Sequence, residues 1–136
     1  MKTRDDIIMM FSNLFLVLPV IFSFIYNERL YLFFATGIFI FSVLYHWFKI
    51  VNVSSVYFRI FEWLDVLFGI GSFSYMYYYV YKYSHEQDKL VLYVLLSLAI
   101  LFFLWGRRKN YKLLHPWFHV VAPAVSSTIL VLAHLS

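Results

Sequence analysis

The stretch HPWFH, residues 115–119, puts two imidazoles, His115 and His119, four residues apart on one face of a helix. FSVLYHWFKI, residues 41–50, sets Ser42 and His46 in the same relation, and WLDVLFGIGS, residues 63–72, adds the carboxylate of Asp65. Ionisable groups inside apolar spans are rare, face the bundle interior and mark function by default. Three imidazoles and a carboxylate suit a divalent metal. Catalytic zinc commonly has three protein ligands and an open position, where bound water is acidified to near neutrality. His46, His115 and His119 are the candidate ligands. Asp65 would take the water's proton or orient a histidine, and Ser42 would hydrogen-bond a ligand, the water or a developing oxyanion. Taken singly, each histidine also fits a helix–helix hydrogen bond, Ser42 a bond to its own helix, and Asp65 a partner such as Arg59. Haem b ligation for electron transfer is a rival use of paired histidines. Ligands four residues apart on one helix suit a single metal better, and a haem would leave Asp65 without a task.

The elements that must position these groups are membrane spans. Of 136 residues, 63% are hydrophobic and only 13% charged, well outside the composition of soluble domains. Polar punctuation at 27–29, 52–55, 82–89 and 107–112 leaves five apolar segments, at about 7–26, 30–50, 57–81, 90–106 and 113–134, each near the length that crosses a bilayer. The expected fold is all-α: one transmembrane domain over residues 1–136, built as an integral membrane bundle of about five helices. Short connections make neighbours antiparallel. Pro19 and Pro123 are expected to kink the first and fifth spans, and Pro116 to sit in the first turn of the fifth. No cleavage site ends the first apolar run, so that span is expected to be retained. Without cysteine, the chain has no disulfide or thiolate metal site, which leaves histidine and carboxylate as metal ligands.

Charge sets the topology. Lys2, Arg4, Lys49, Arg59, Arg107, Arg108, Lys109 and Lys112 fall on one side of a five-span bundle, and Arg29, Lys82 and Lys89 on the other. This imbalance predicts a cytoplasmic N-terminus and a C-terminus on the opposite side. It also accounts for the net charge of +4 without a nucleic-acid partner. At 1.5 Å per residue, His46 and His115 then lie roughly 6 Å inside the cytoplasmic ends of their spans, and His119 and Asp65 roughly 12 Å inside theirs. All four share one half of the membrane. Glu62 reads as a headgroup-level charge, His85 and His134 as bystanders, and the tyrosines of YMYYYVYKY, residues 75–83, as an interfacial belt.

SVLYH (Ser42 to His46), the Asp65 of WLDVLFGIGS and HPWFH occur in the order and on the kinds of helix that mark the CREST superfamily, which the chain resembles. That superfamily includes alkaline ceramidases, progestin and adiponectin receptors and myomaker-like proteins. The resemblance implies zinc held by His46, His115 and His119, with Asp65 and Ser42 at the bound water. It also implies hydrolysis of an amide or ester bond in a membrane lipid such as ceramide. The chain departs from the superfamily in size, five spans against a typical seven, which points to a homodimer as one way to close the pocket. A non-catalytic scaffold or membrane-remodelling protein stapled by zinc would use the same ligands.

Overall fold

The computed structural model describes residues 4–51, 56–108 and 111–135. The connection at 52–55 and the basic residues Lys2 and Lys109 lie outside these. Among the described residues there is no strand: α1 (Arg4–Ser12), a 3₁₀ turn (Asn13–Leu16), α2 (Val17–Ile25), α3 (Arg29–Ile50), α4 (Val56–Tyr83), α5 (Glu86–Arg108) and α6 (Tyr111–Leu135). The protein is an all-α membrane bundle. Ile7–Ile25, α3, Glu86–Trp105 and α6 are each long and apolar enough to cross a bilayer. The remaining long helix, α4, is less apolar because Arg59, Glu62 and Asp65 occupy one end and tyrosines the other. Its 28 residues nonetheless reach about 42 Å, ample for a bilayer.

Burial runs inside out relative to a soluble protein. The interior holds Ser12, Asn13, Ser23, Ser42, His46, Ser72, His115, His119, Ser126 and Ser127, whereas Phe24, Trp63, Leu90 and Leu67 face outward. In hydrocarbon this is the favourable order, because apolar side chains gain nothing by leaving lipid and polar ones must find partners within the bundle.

Each helix boundary has a local cause. The first span is not one kinked helix but two helices joined by the 3₁₀ turn. Pro19 has no N–H to offer the Phe15 carbonyl and its ring crowds that carbonyl, so the preceding turn tightens. Asn27, at φ 56°, ends α2 in the left-handed region that Asn tolerates. The Glu28 N–H reaches the Ser23 carbonyl at 2.8 Å and the Asn27 N–H the Phe24 carbonyl at 3.2 Å, the paired bonds of a Schellman stop. Helix α5 starts at Glu86, earlier than the apolar run, because Glu86 and Asp88 favour a first turn and Glu86 pairs with Lys89 at 2.6 Å. Helix α6 starts at Tyr111, which places Pro116 inside it, beyond the first turn where it was expected.

Helices α3 and α4 approach closely through small residues. The Phe68 ring lies where a Cβ on Gly37 would be, and the Phe34 ring where one on Gly71 would be. Phe33, Phe41 and Phe61 extend this aromatic seam. The apolar core proper gathers Tyr31, Met76, Val80, Leu92, Leu96, Ile129 and Leu130 in the half of the bundle away from the histidines.

The tyrosine run at 75–83 divides between two roles. Tyr78, Tyr81 and Tyr83 are exposed, as an interfacial belt requires. Tyr75 and Tyr79, one turn apart, instead donate to the Glu28 carboxylate at 3.1 and 2.9 Å. His134 is not idle either: its Nε2 stands 3.7 Å from Glu28 Oε1, and its ring stacks on Tyr26 at 4.2 Å. Glu28 therefore ties the α2–α3 turn to the ends of α4 and α6. Glu28→Ala should lower thermal stability by about 1–3 kcal/mol, because Tyr79 is buried and loses its acceptor. Thermal melts in detergent check this.

Candidate metal centre and cavity

Three helices bring the candidate residues together. His46 lies one turn before the end of α3, and His115 and His119 lie in the second and third turns of α6, so antiparallel packing sets them at one level. All three are buried. Their ring centroids are 5.4 Å (His46–His115), 5.2 Å (His46–His119) and 4.5 Å (His115–His119) apart. One ring nitrogen from each falls within 4.8 Å of the others. Tetrahedral zinc at about 2.0–2.1 Å from each nitrogen would hold them about 3.3 Å apart, a spacing within that limit. His46 Nε2 is buried and has no hydrogen-bond partner, a costly arrangement unless something coordinates it. A set of neutral imidazoles also matches the borderline-soft character of zinc. By geometry and chemistry, the residues fit the ion.

Aromatic and cationic side chains cap the cluster. Tyr111 stacks on His115 at 4.5 Å, with 21° between the ring planes. Lys49 Nζ lies over that tyrosine ring, 3.9 Å from its centroid. The three imidazoles pack against one another, with no room as placed for a planar macrocycle between any two of them.

Asp65 and Ser42 join the site through a cavity. A space of about 410 Å³ is lined at one end by Ser42, Asp65 and His119, and continues past Gly69, Pro123 and Leu96 to Tyr31, Ser72 and Met76. Its size falls within the range of small-molecule sites. Spanning Asp65 to Met76 on α4, it runs about 16 Å along the bundle. Ile70, Ser74 and Leu104 line it and are also exposed, so it opens sideways between α4 and α5. Nearer the α4–α5 turn that seam is closed by Tyr77, which stacks on Tyr93 at 5.6 Å and bonds Ser97 at 2.7 Å.

Gly69 and Gly71 have opposite roles. Gly71 packs on Phe34, whereas a Cβ at Gly69 would meet nothing within 4 Å. Gly69 therefore leaves the cavity open one turn beyond Asp65. Gly69→Phe should fill that space without unfolding the protein, and should weaken binding of a long-chain apolar molecule by roughly tenfold or more, since burying one apolar side chain's worth of surface is worth about 1.5–3 kcal/mol. Thermal melts and binding of a fluorescent fatty-acyl probe by the two proteins check it.

Two further residues belong to the site and are not among those singled out by type and spacing. Ser12 Oγ bonds His119 Nδ1 at 2.9 Å, and Asn13 Oδ1 accepts the Ser42 hydroxyl at 2.9 Å. Their signal in the sequence is a neutral polar pair, SN, inside the otherwise apolar MMFSNLFLVLP. A search confined to ionisable residues passes over it. Compared with known proteins, the chain matches no family model, no curated protein and no solved structure.

Proposed function

We propose that this protein is a zinc-dependent intramembrane hydrolase of lipid amide or ester bonds, a shortened relative of the CREST superfamily. The observation that carries the reading is the buried His46, His115 and His119 cluster, whose His119 lines an apolar cavity together with Asp65 and Ser42. These three histidines would hold the metal. When bound, zinc supplies a Lewis acid and water of near-neutral pKa.

The chain's own groups do the rest. Asp65 takes one proton from the attacking water as the water oxygen bonds to the carbonyl carbon. It returns that proton to the leaving amine or alcohol as the C–N or C–O bond breaks. Ser42 has committed its proton to Asn13, so its lone pairs are the part it offers to water. Donation to an oxyanion requires that bond to be exchanged. The apolar walls hold the acyl chain and exclude bulk water, and the opening between α4 and α5 admits a lipid directly from the hydrocarbon.

The test is turnover. Purified zinc-loaded protein incubated with ceramides, lysophospholipids and phospholipids should release fatty acid from one class, and Asp65→Ala should not. Zinc-loaded protein that turns over none of them would instead identify a scaffold stapled by metal.

A further inference from the structure

The geometry points to Ser12 as the residue that positions His119 for metal, by fixing which ring nitrogen carries the proton; this rests on the zinc reading above. Ser12 Oγ makes two bonds, to the Met9 carbonyl at 2.7 Å and to His119 Nδ1 at 2.9 Å. A carbonyl only accepts, and a hydroxyl has one proton to give. That proton goes to Met9. In the second bond the imidazole must therefore be the donor: Nδ1 carries hydrogen and Nε2 keeps its lone pair. Because His119 packs edge-on to both His46 and His115, Nε2 is the nitrogen left for the shared centre.

The positioning depends on the break in the first span. The 3₁₀ turn begins immediately after Ser12, and the Met9 carbonyl also accepts Asn13 Nδ2 at 3.1 Å. Asn13 then accepts from Ser42, so one carbonyl anchors the groups that face both α6 and α3. Ser12 and Asn13 are buried at 6% and 0% exposure, where no solvent competes for these bonds. Metal-binding histidines characteristically donate their other N–H to a fixed acceptor, which sets tautomer and ring angle. Ser12 supplies that acceptor from a helix that carries no ligand itself.

The experiment compares wild type, Ser12→Ala and Ser12→Thr, with ¹⁵N-labelled histidine in metal-free protein and with Zn²⁺ affinity measured by chelator competition. Wild-type His119 should be protonated at Nδ1. Ser12→Ala should move the proton toward Nε2 and weaken Zn²⁺ binding by roughly 10- to 100-fold. Ser12→Thr, which keeps the hydroxyl, should restore both, whereas general damage to packing would not be repaired by the larger residue. Protonation of wild-type His119 at Nε2, or a Ser12→Ala protein with unchanged tautomer and affinity, overturns the assignment. If wild type binds no zinc but its tautomer follows the hydroxyl as described, the hydrolase reading fails and only the assignment of the His119 proton to Nδ1 stands.

Discussion

His46→Ala should lose zinc as completely as His115→Ala or His119→Ala, although His46 is separated from the HPWFH pair by about 70 residues and lies on a different helix. With His46 gone, α6 offers two ligands, and a two-imidazole site is a poor match for zinc's tetrahedral demand. The free energy of structural zinc sites, shared over their ligands, makes the loss about 3–4 kcal/mol, or roughly 10²- to 10³-fold in affinity. A second consequence follows from linkage. Added zinc should raise the melting temperature of wild type and of His85→Ala, whose histidine is exposed at the α4–α5 turn, but not that of His46→Ala. Titration of each variant with Zn²⁺, followed by thermal melts, gives both readouts. Zinc-dependent stabilisation that survives in His46→Ala would show that α3 takes no part in the centre.

Asp65→Asn should separate chemistry from metal binding. The amide keeps the size of the carboxylate but cannot accept and redeliver a proton, so turnover should fall by roughly 10²- to 10⁴-fold while zinc content stays at the wild-type level. Asp65 lies on α4, half-buried at the cavity wall, and none of the three candidate metal ligands comes from that helix. If Asp65 acted instead by holding α4 in place, Asn would reduce stability and zinc content together with turnover. Measuring all three on one preparation distinguishes the two cases.

How much of this was legible beforehand follows from the physics of each feature. Spans are easy to read because the bilayer imposes one length, and the five apolar segments map onto the five long helical regions. The histidine cluster is legible for a related reason: charged or chargeable groups are costly in lipid, so their depths are informative, and His46, His115 and His119 do meet. What escapes is whatever costs little locally or is decided by distant contacts. Ser12 and Asn13 are neutral and cheap enough to pass as ordinary helix residues, and their bonds to His119 and Ser42 span 107 and 29 residues. Tyr75 and Tyr79 look like any interfacial tyrosines until Glu28 is held beneath them by the α2 stop. Pro19 predicts a kink, but its effect falls one turn upstream, as a 3₁₀ segment that delivers Ser12 and Asn13 to the site.

If His46, His115 and His119 form a zinc centre, the metal content of the purified protein reveals it. Elemental analysis after purification without added metal should find close to one zinc per chain, removable by a strong chelator and restored by Zn²⁺. Protein that is folded yet retains no zinc, and takes none up when Zn²⁺ is supplied, would contradict it.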